Sequence, residues 1–345
     1  MKNIIQIPRP VYIRAAATVA GQEEKNGPLG AYFDIVGGED DTFGCDTWEK
    51  AESEMQRLAL ERALEMGNCK DTDLNAVLAG DLLNQCSGSS YGLCDFDAPF
   101  LGLFGACSTI AEALLLSALL CSSHMDRCAA VSSSHNAAAE RQFRFPLEYG
   151  GQRPPTAQWT VTGSGAFLLT SIAADVEQMQ QLGLAVPTIT EAVIGKTVDA
   201  GITDAANMGA AMAPAAADTL LRYFGECKKR PEEFDMILTG DLGYEGSGIL
   251  MELALSKGLD LRAVHQDCGL LIYNRELQDK HAGGSGCGCS ASVLAAHVLR
   301  RMRGGEIRDL LFLATGALMS PTAVQQGSSI PGIAHLIRIS ASAAN

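Results

Sequence analysis

Positive charge is scarce in this sequence. Its 345 residues include 26 Lys and Arg against 40 Asp and Glu, which gives a formal net charge of −14. An acidic surface repels the phosphates of nucleic acids and the headgroups of anionic lipids. We therefore expect no nucleic-acid partner and no polybasic contact with a membrane.

Long uninterrupted apolar stretches are also missing. No window reaches the roughly 18 apolar residues that a membrane-spanning helix needs. The N-terminal segment carries Pro8, Arg9, Pro10 and Arg14 where a secretory signal peptide has an unbroken apolar core. The sequence thus predicts an intracellular protein without a transmembrane segment.

Several binding motifs are incomplete. The glycine-rich GGSGCGCS (283–290) lacks the GK[ST] of a phosphate-binding loop, and the acidic GGEDDTF (37–43) lacks the ligand order of a calcium loop. Cys287 and Cys289 form a C-x-C pair with no second pair elsewhere, so they fit small residues in a tight glycine-rich turn better than a metal site. The scattered 11 cysteines indicate small buried side chains rather than disulfides. We predict no cofactor and no metal site.

What the chain does contain is an alternation of helices and short buried strands. Residues 47–66 show apolar positions at helical spacing, with a start at Asp46 and Glu49 and a stop at Gly67. AVLAG (76–80) predicts a buried strand, and the nearly all-apolar stretch after Cys107 predicts a fully buried helix. The segments 20–47 and 135–160 are expected to be long loops. The pattern indicates an α/β fold.

The two halves of the chain resemble each other. AVLAGDLL (76–83) is similar to MILTGDLG (236–243), and GACST (105–109) is similar to GCGCSA (286–291). AAVSSS (129–134) falls on LFLATG (311–316) at the same spacing as the cysteine motifs. We expect two homologous units, 1–172 and 173–345, whose buried central helices form a five-layer αβαβα sandwich.

Cys107 is the first candidate for chemistry, because GACST directly precedes the buried helix. Free backbone N–H groups at a helix N-terminus favour a thiolate and can hold an oxyanion. A small residue that fits where a buried helix meets a loop is the other interpretation. The local sequence leaves both open.

Cys107 in its turn, VTGSGAFLLT (161–170) and the duplicated halves resemble the thiolase superfamily, especially the β-ketoacyl-carrier-protein synthase III branch. The resemblance implies a cysteine that is acylated with help from a histidine and an asparagine of the second half. The corresponding stretches here are GDLGYEGSG (240–248), with Tyr244 and Glu245, and GGSGCGCSA (283–291). Without that histidine and asparagine, we expect no condensation reaction.

Longer motifs resemble the stage V sporulation protein AD family over nearly the whole chain. They include GPLGAYFD (27–34), SSHNAAAERQFRFPLEYGGQRPPTAQWTVTG (133–163), DCGLLIYN (267–274) and QQGSSIPGIAH (325–335). The resemblance implies a thiolase-like protein with a binding role that helps to move dipicolinic acid, as a calcium chelate, into the developing spore. It further implies attachment to the forespore inner membrane through other subunits of a membrane channel, and a homodimer.

Segment 133–163 suits such an anionic, flat ligand. It concentrates basic and aromatic side chains, which in an acidic protein favour an anion site. They are His135, Arg141, Phe143, Arg144, Phe145, Tyr149, Arg153 and Trp159. Arg141 and Arg144 have an alternative role as structural partners of Glu140 and Glu148, and His135 as a turn cap. The predicted ligand-binding residues are Cys107, His135, Arg141, Arg144, Tyr244 and Glu245.

Two other functions stay open at this point. In an acyl-thioester enzyme, Cys107 would be the nucleophile, His135 the base, and Tyr244 with glycine-loop N–H groups the oxyanion donors. In a purely structural subunit, the pocket would be empty.

Overall fold

The computed structural model describes residues 2–143, 153–181 and 183–342, without the side chains of Arg141, Phe143 and Ser342. The strands are β1 (Ile5–Ala20), β2 (Ile35–Val36), β3 (Ala76–Gly80), β4 (Phe100–Gly102), β5 (Arg127–Ser134), β6 (Trp159–Thr160), β7 (Gly163–Thr170), β8 (Val186–Val193), β9 (Met236–Thr239), β10 (His265–Asp267), β11 (Gly284–Ser285), β12 (Asp309–Ala317) and β13 (Gly332–Ser342). The predicted positions of Arg144, Phe145, Glu148 and Tyr149 lie outside the described residues.

The helices alternate with these strands, as the sequence predicts. They are α1 (Gln22–Lys25), α2 (Trp48–Met66), α3 (Ser87–Gly92), α4 (Thr109–Ser123), α5 (Asn136–Phe143), α6 (Ala173–Gln181), α7 (Met208–Phe224), α8 (Gly243–Ser256), α9 (Cys268–Leu271), α10 (Cys287–Val293), α11 (Leu299–Arg303) and α12 (Pro321–Gln325). A π-helix, Leu294–Val298, joins α10 to α11.

The strand order has internal symmetry. The main sheet runs β10-β9-β12-β13-β8-β1-β7-β5-β3-β4, with β2 beside β1. Apart from β2, the sheet consists of two sets of five strands that correspond in order outward from the centre. The first set is β1, β7, β5, β3 and β4, and the second set is β8, β13, β12, β9 and β10. The long β1 joins the two sets, because its first part pairs with β8 and its second part with β7. The division of the chain at residue 172 stays a prediction.

Helices cover both sets of strands and fill the space between them. Helix α2 packs on the outer face of the first set, and α7 and α8 pack on the outer face of the second. Helices α4, α10 and α11 lie in the central core, which contains residues from both sets of strands. The predicted αβαβα sandwich is confirmed.

Helix α2 follows its predicted boundaries closely, but its first turn is capped by a different residue. The Thr47 hydroxyl accepts a hydrogen bond from the Lys50 backbone N–H over 3.3 Å, so Thr47 is the N-cap and not Asp46. Gly67 caps the other end, where its N–H bonds to the Ala63 carbonyl. The apolar face of α2 is buried through Met55, Ala59 and Leu60.

Helix α4 is apolar on all sides because it is surrounded by protein. With the turn before it, it forms the one helix in the described part of the chain that is long and apolar enough to cross a membrane, and 72% of that stretch is buried in the fold. Ile110, Ala111, Leu114 and Ala118 are fully buried. The prediction of a buried central helix is therefore confirmed.

Two details of the predicted loops were wrong. Segment 135–160 contains α5 and β6. The three consecutive alanines Ala137, Ala138 and Ala139 favour the helix, although polar residues surround them. The pair Cys287 and Cys289 lies in the first turn of α10 rather than in a loop. Their thiols donate to different carbonyls, Ser133 O at 2.9 Å and Gly240 O at 3.8 Å. Within the described ranges, no three His, Cys, Asp or Glu side chains gather as metal ligands.

Candidate functional site

A small cavity lies at the N-terminal end of α4, between the two halves. Its volume is about 40 Å³, which is room for a few water molecules. Its lining is mostly apolar and consists of Leu82, Phe104, Ala106, Cys107, Ala139, Glu140, Thr160, Met208, Ser285, Ala317 and Met319. First-half and second-half residues therefore meet around Cys107.

A strained turn presents Cys107 to this cavity. Ala106 has a φ of 49°, in the left-handed region that a residue with a side chain rarely adopts. Hydrogen bonds hold the turn: the Ser108 hydroxyl donates to Gly105 O over 2.6 Å, and the Thr109 hydroxyl donates to Ala106 O over 2.7 Å. Gly316 of β12 packs so closely that a side chain there would collide with Gly105 O. The two halves thus fix the thiol position together.

Asp241, which follows β9, places a buried carboxyl group next to the Cys107 thiol. Its Oδ2 accepts hydrogen bonds from Ser285 Oγ at 2.9 Å and from the Gly286 N–H at 2.8 Å. Its Oδ1 accepts one from Thr315 Oγ1 at 2.8 Å. Ser285 Oγ also lies 4.0 Å from Cys107 Sγ. The carboxyl group is therefore locked in place directly beside the cysteine.

This surrounding keeps Cys107 as a neutral thiol. Burial raises the pKa of Cys107 well above its ordinary value, and the Asp241 carboxylate raises it further. Burial also raises the pKa of Asp241, although its hydrogen bonds oppose that shift. A reactive cysteine needs the opposite arrangement, a nearby cation or base that lowers the thiol pKa. The backbone turn of a nucleophilic cysteine is therefore present, but no group that lowers the thiol pKa accompanies it.

His135 does not line this cavity. Its Nε2 donates a hydrogen bond to the Asp41 carbonyl over 2.9 Å, and its ring is almost fully buried. Burial lowers the pKa of His135, so the ring is neutral near pH 7. The structure thus places the predicted base against the 37–43 segment and not beside Cys107.

Tyr244 and Glu245 are also separated from Cys107. They begin α8 and line a different, open groove on the outer layer of the second half. Tyr244 is 54% exposed, and the Arg275 guanidinium stacks on its ring at 4.0 Å. Tyr244 is therefore not placed to donate to a group bound at Cys107. The glycine-loop N–H of Gly286 is also occupied, since it bonds Asp241.

The described part of the predicted basic and aromatic cluster forms around Trp159. Arg153 lies over the indole ring at 5.1 Å, and Lys280 lies over it at 3.4 Å. Arg153 also donates to the Asp279 carbonyl, and Lys280 pairs with Glu23 at 3.3 Å. The Arg141 side chain and Arg144 lie outside the described residues, so their role as anion ligands stays a prediction.

Comparison with known proteins now identifies the family. The sequence profile of "Stage V sporulation protein AD (SpoVAD)" matches residues 1–340. Stage V sporulation protein AD of Bacillus subtilis (strain 168) is 44% identical over 329 residues, which cover 94% of this chain and 93% of the relative. The chain belongs to the SpoVAD family.

Solved structures place this SpoVAD family member among thiolase-like folds. A histidine-to-asparagine variant of Xanthomonas campestris OleA superposes with a TM-score of 0.60 at 12% identity, over 96% of this chain and 99% of its own. The 3-oxoacyl-[acyl-carrier-protein] synthase III of Aquifex aeolicus VF5 superposes with a TM-score of 0.52 at 11% identity, over 95% and 99% of the two chains. At these identities the likeness concerns the fold alone.

Sequence reasoning missed the residues that surround the thiol of this SpoVAD family member. Asp241 and Ser285 both lie in motifs that were recognised, GDLGYEGSG and GGSGCGCSA. A usable signal was present, because the repeat aligns Asp241 with Asp81 directly after matching strands. Residues in that position lie at the carboxyl ends of strands, where sites of α/β folds form.

Proposed function

We propose that this protein binds dipicolinic acid without condensation chemistry and supports its uptake into the developing spore. The observation that carries the absence of condensation chemistry is the position of the buried Asp241 carboxyl group beside Cys107, which raises the thiol pKa. Family membership supports the sporulation context. The binding site that we propose is the Cys107 cavity, together with residues of segment 133–163.

The charge of the cavity favours the calcium chelate of dipicolinate over the free dianion. Among the described lining residues there is no basic side chain, whereas Glu140 lines the wall and Asp241 lies behind it. A free dianion would be repelled by the Asp241 carboxylate. A neutral chelate avoids that repulsion, and its calcium ion accepts carboxylate and hydroxyl oxygens such as those of Glu140, Thr160 and Ser285.

Ligand entry requires the cavity to widen. Its free volume of about 40 Å³ is far below the several hundred Å³ that are typical of small-molecule pockets. Among the lining side chains, Phe104 is 53% exposed, and Met208 and Met319 have flexible side chains that adapt easily. We propose that these three side chains form the entrance.

The first-half end of the sheet is the proposed homodimer surface. Edge strand β4 presents Phe100 and Leu101, which are 41% and 48% exposed. An exposed apolar sheet edge offers unpaired backbone groups and apolar surface with which another chain can pair. Because Phe104 follows this strand and also lines the cavity, a second copy would lie close to the entrance.

Attachment to the forespore inner membrane is proposed to occur through protein partners. The one described helix with the length and hydropathy of a membrane span is α4, and it is committed to the core. A net charge of −14 gives no attraction to anionic lipid. Membrane subunits of the transport system are therefore the expected partners.

One pair of assays tests the proposal against its alternatives. In a thermal-shift assay, dipicolinate with calcium should raise the melting temperature, since a ligand that binds the folded state stabilises it. In parallel, radiolabelled acyl-CoA should leave no label on Cys107. Label at Cys107 that disappears in Cys107→Ser would instead establish an acyl-thioester enzyme, which the retained Ala106 turn favours geometrically. A folded protein that shows neither effect would be a structural subunit.

A further inference from the structure

The GDLGYEGSG motif (240–248) contains the start of α8, and the outer side of α8 carries a groove that is separate from the Cys107 cavity. It has a volume of about 450 Å³ and lies along the outer side of α8, next to Leu270 of α9. Its lining residues are Tyr244, Glu245, Ser247, Gly248, Ile249, Met251, Glu252 and Leu270. Exposed apolar side chains continue along α8, where Leu253 and Leu255 are 36% and 48% exposed.

The groove combines an apolar floor with acidic sides. Glu245 and Glu252 lie about two turns apart on the same side of α8, and the described lining contains no basic residue. Arg275 stacks on Tyr244 at one end of the groove, where its Nε donates to the His281 carbonyl. Ser247 also lines the groove, but its hydroxyl is buried and has no hydrogen-bond partner within the described ranges. An apolar surface flanked by two carboxylates is complementary to a partner that is apolar on one side and basic at its rim.

We propose that this groove binds a basic amphipathic helix of a partner protein, in which Lys or Arg residues flank an apolar face. Helices of this kind are common next to the membrane spans of integral membrane proteins, because cytoplasmic flanks are enriched in Lys and Arg. The preference of the groove for such a helix is inferred from the residues that line it. The assignment of that helix to a membrane subunit rests on the proposed function. Direct binding to anionic lipid is disfavoured, because Glu245, Glu252 and the net charge are negative and Arg275 is the one cation stacked on the described lining.

Gly248 makes the groove testable without harm to the fold. A side chain added at Gly248 meets no atom within 4 Å, whereas one added at Gly246 would meet Gly209 of α7 at 2.8 Å. Gly248 therefore leaves open space in the groove, and Gly246 allows α8 to approach α7. Gly248→Leu should therefore fill the groove with a side chain. The free energy of unfolding should stay the same or rise, because leucine is a better helix former than glycine.

The experiment uses the full chain and a labelled peptide probe, an amphipathic helix of Leu and Lys, in a fluorescence anisotropy titration. A Leu and Glu peptide of the same pattern and vesicles of phosphatidylcholine with phosphatidylglycerol are the comparison probes. We expect saturable binding of the Leu and Lys peptide alone. Gly248→Leu and the double change Glu245→Lys with Glu252→Lys should each weaken it by about tenfold or more.

A matched pair on α2 controls for net charge. Glu61→Lys with Glu65→Lys changes the charge equally on another exposed helix, and should leave peptide binding within about twofold. Equal losses in both double variants, or unchanged binding in Gly248→Leu, would overturn the proposal. Vesicle binding that Gly248→Leu abolishes would also overturn it, by assigning the groove to lipid. Dipicolinate titration of Gly248→Leu separates this inference from the proposed function, because the Cys107 cavity should bind as before.

Discussion

The carboxyl group of Asp241 faces the Cys107 thiol across the boundary between the two halves, and it raises a thiol pKa that burial has already raised. The carboxyl group is held there by Ser285, Gly286 and Thr315. An acylated cysteine begins as a thiolate, which a neighbouring carboxylate destabilises. This one relationship explains how a nucleophile turn can be kept without a reactive thiolate, which the proposed binding function requires.

Removal of the Asp241 charge should make Cys107 more reactive. In Asp241→Asn the pKa of Cys107 should fall but stay above the ordinary value, since the thiol remains buried. The pH dependence of iodoacetamide labelling at Cys107, followed by peptide mass spectrometry, measures the change. Asp175→Asn is the control, another buried aspartate, which pairs with Arg14 and Arg127 rather than with the residues around Cys107, and it should leave the Cys107 profile unchanged. An unaltered profile in Asp241→Asn would contradict the electrostatic explanation.

Large elements were predictable because their signals are local. The apolar stretch of α4 and the helical spacing of α2 each predict one element from contiguous residues. The cavity was less predictable, because Cys107 and Ser285 are 178 positions apart and meet only through the fold. His135 was assigned to the cavity as part of the basic and aromatic segment 133–163, and Tyr244 through the resemblance to the thiolase superfamily. In the structure, His135 precedes α5 and bonds the Asp41 carbonyl, whereas Tyr244 lies at the start of α8 and lines the outer groove.

Glu24 should make the stability depend on pH. It is fully buried, accepts hydrogen bonds from the Thr162 N–H and the Tyr273 hydroxyl, and burial raises its pKa from 4.5 to about 7. A raised folded-state pKa gives stability that is complete below about pH 4.5 and is lost as the pH rises through about 7. Such a shift corresponds to at most about 3 kcal/mol.

Glu24→Gln keeps the hydrogen-bond acceptor but cannot ionise. Urea unfolding between pH 5 and pH 8, in steps of about half a unit, should therefore show a shallower fall in the free energy of unfolding for Glu24→Gln than for the parent. Glu61→Gln on the surface of α2 should leave the slope as it is. A parallel pair of curves for Glu24→Gln and the parent would disprove the assignment of this slope to Glu24.

Helix α4 should behave as a core helix. Leu114→Ala should lower the free energy of unfolding by about 2–5 kcal/mol, because Leu114 is fully buried between the two sets of strands. Leu116→Ala, at a partly buried position of the same helix, should cost less. Chemical denaturation measures both values. Equal small losses would be inconsistent with the packing of α4 in the central core.

The exposed edge of β4 should control self-association. Leu101→Arg places a charge on the apolar strand edge and should convert a homodimer into a monomer, as measured by light scattering after size exclusion. Leu277→Arg is the control, since Leu277 is 86% exposed in the second half and far along the chain from β4. A monomeric parent protein, or loss of the dimer in Leu277→Arg alone, would remove β4 as the dimer surface.

The most direct test of dipicolinate binding is a calorimetric titration of the full chain with dipicolinate, in the presence and in the absence of calcium. Arg144→Ala is titrated in parallel, because Arg144 is a predicted anion ligand. We predict saturable binding that is tighter with calcium. Binding that is equally tight without calcium and lost in Arg144→Ala would assign the site to the free dianion. An absence of binding in both conditions, from protein shown to be folded, would contradict the proposed function.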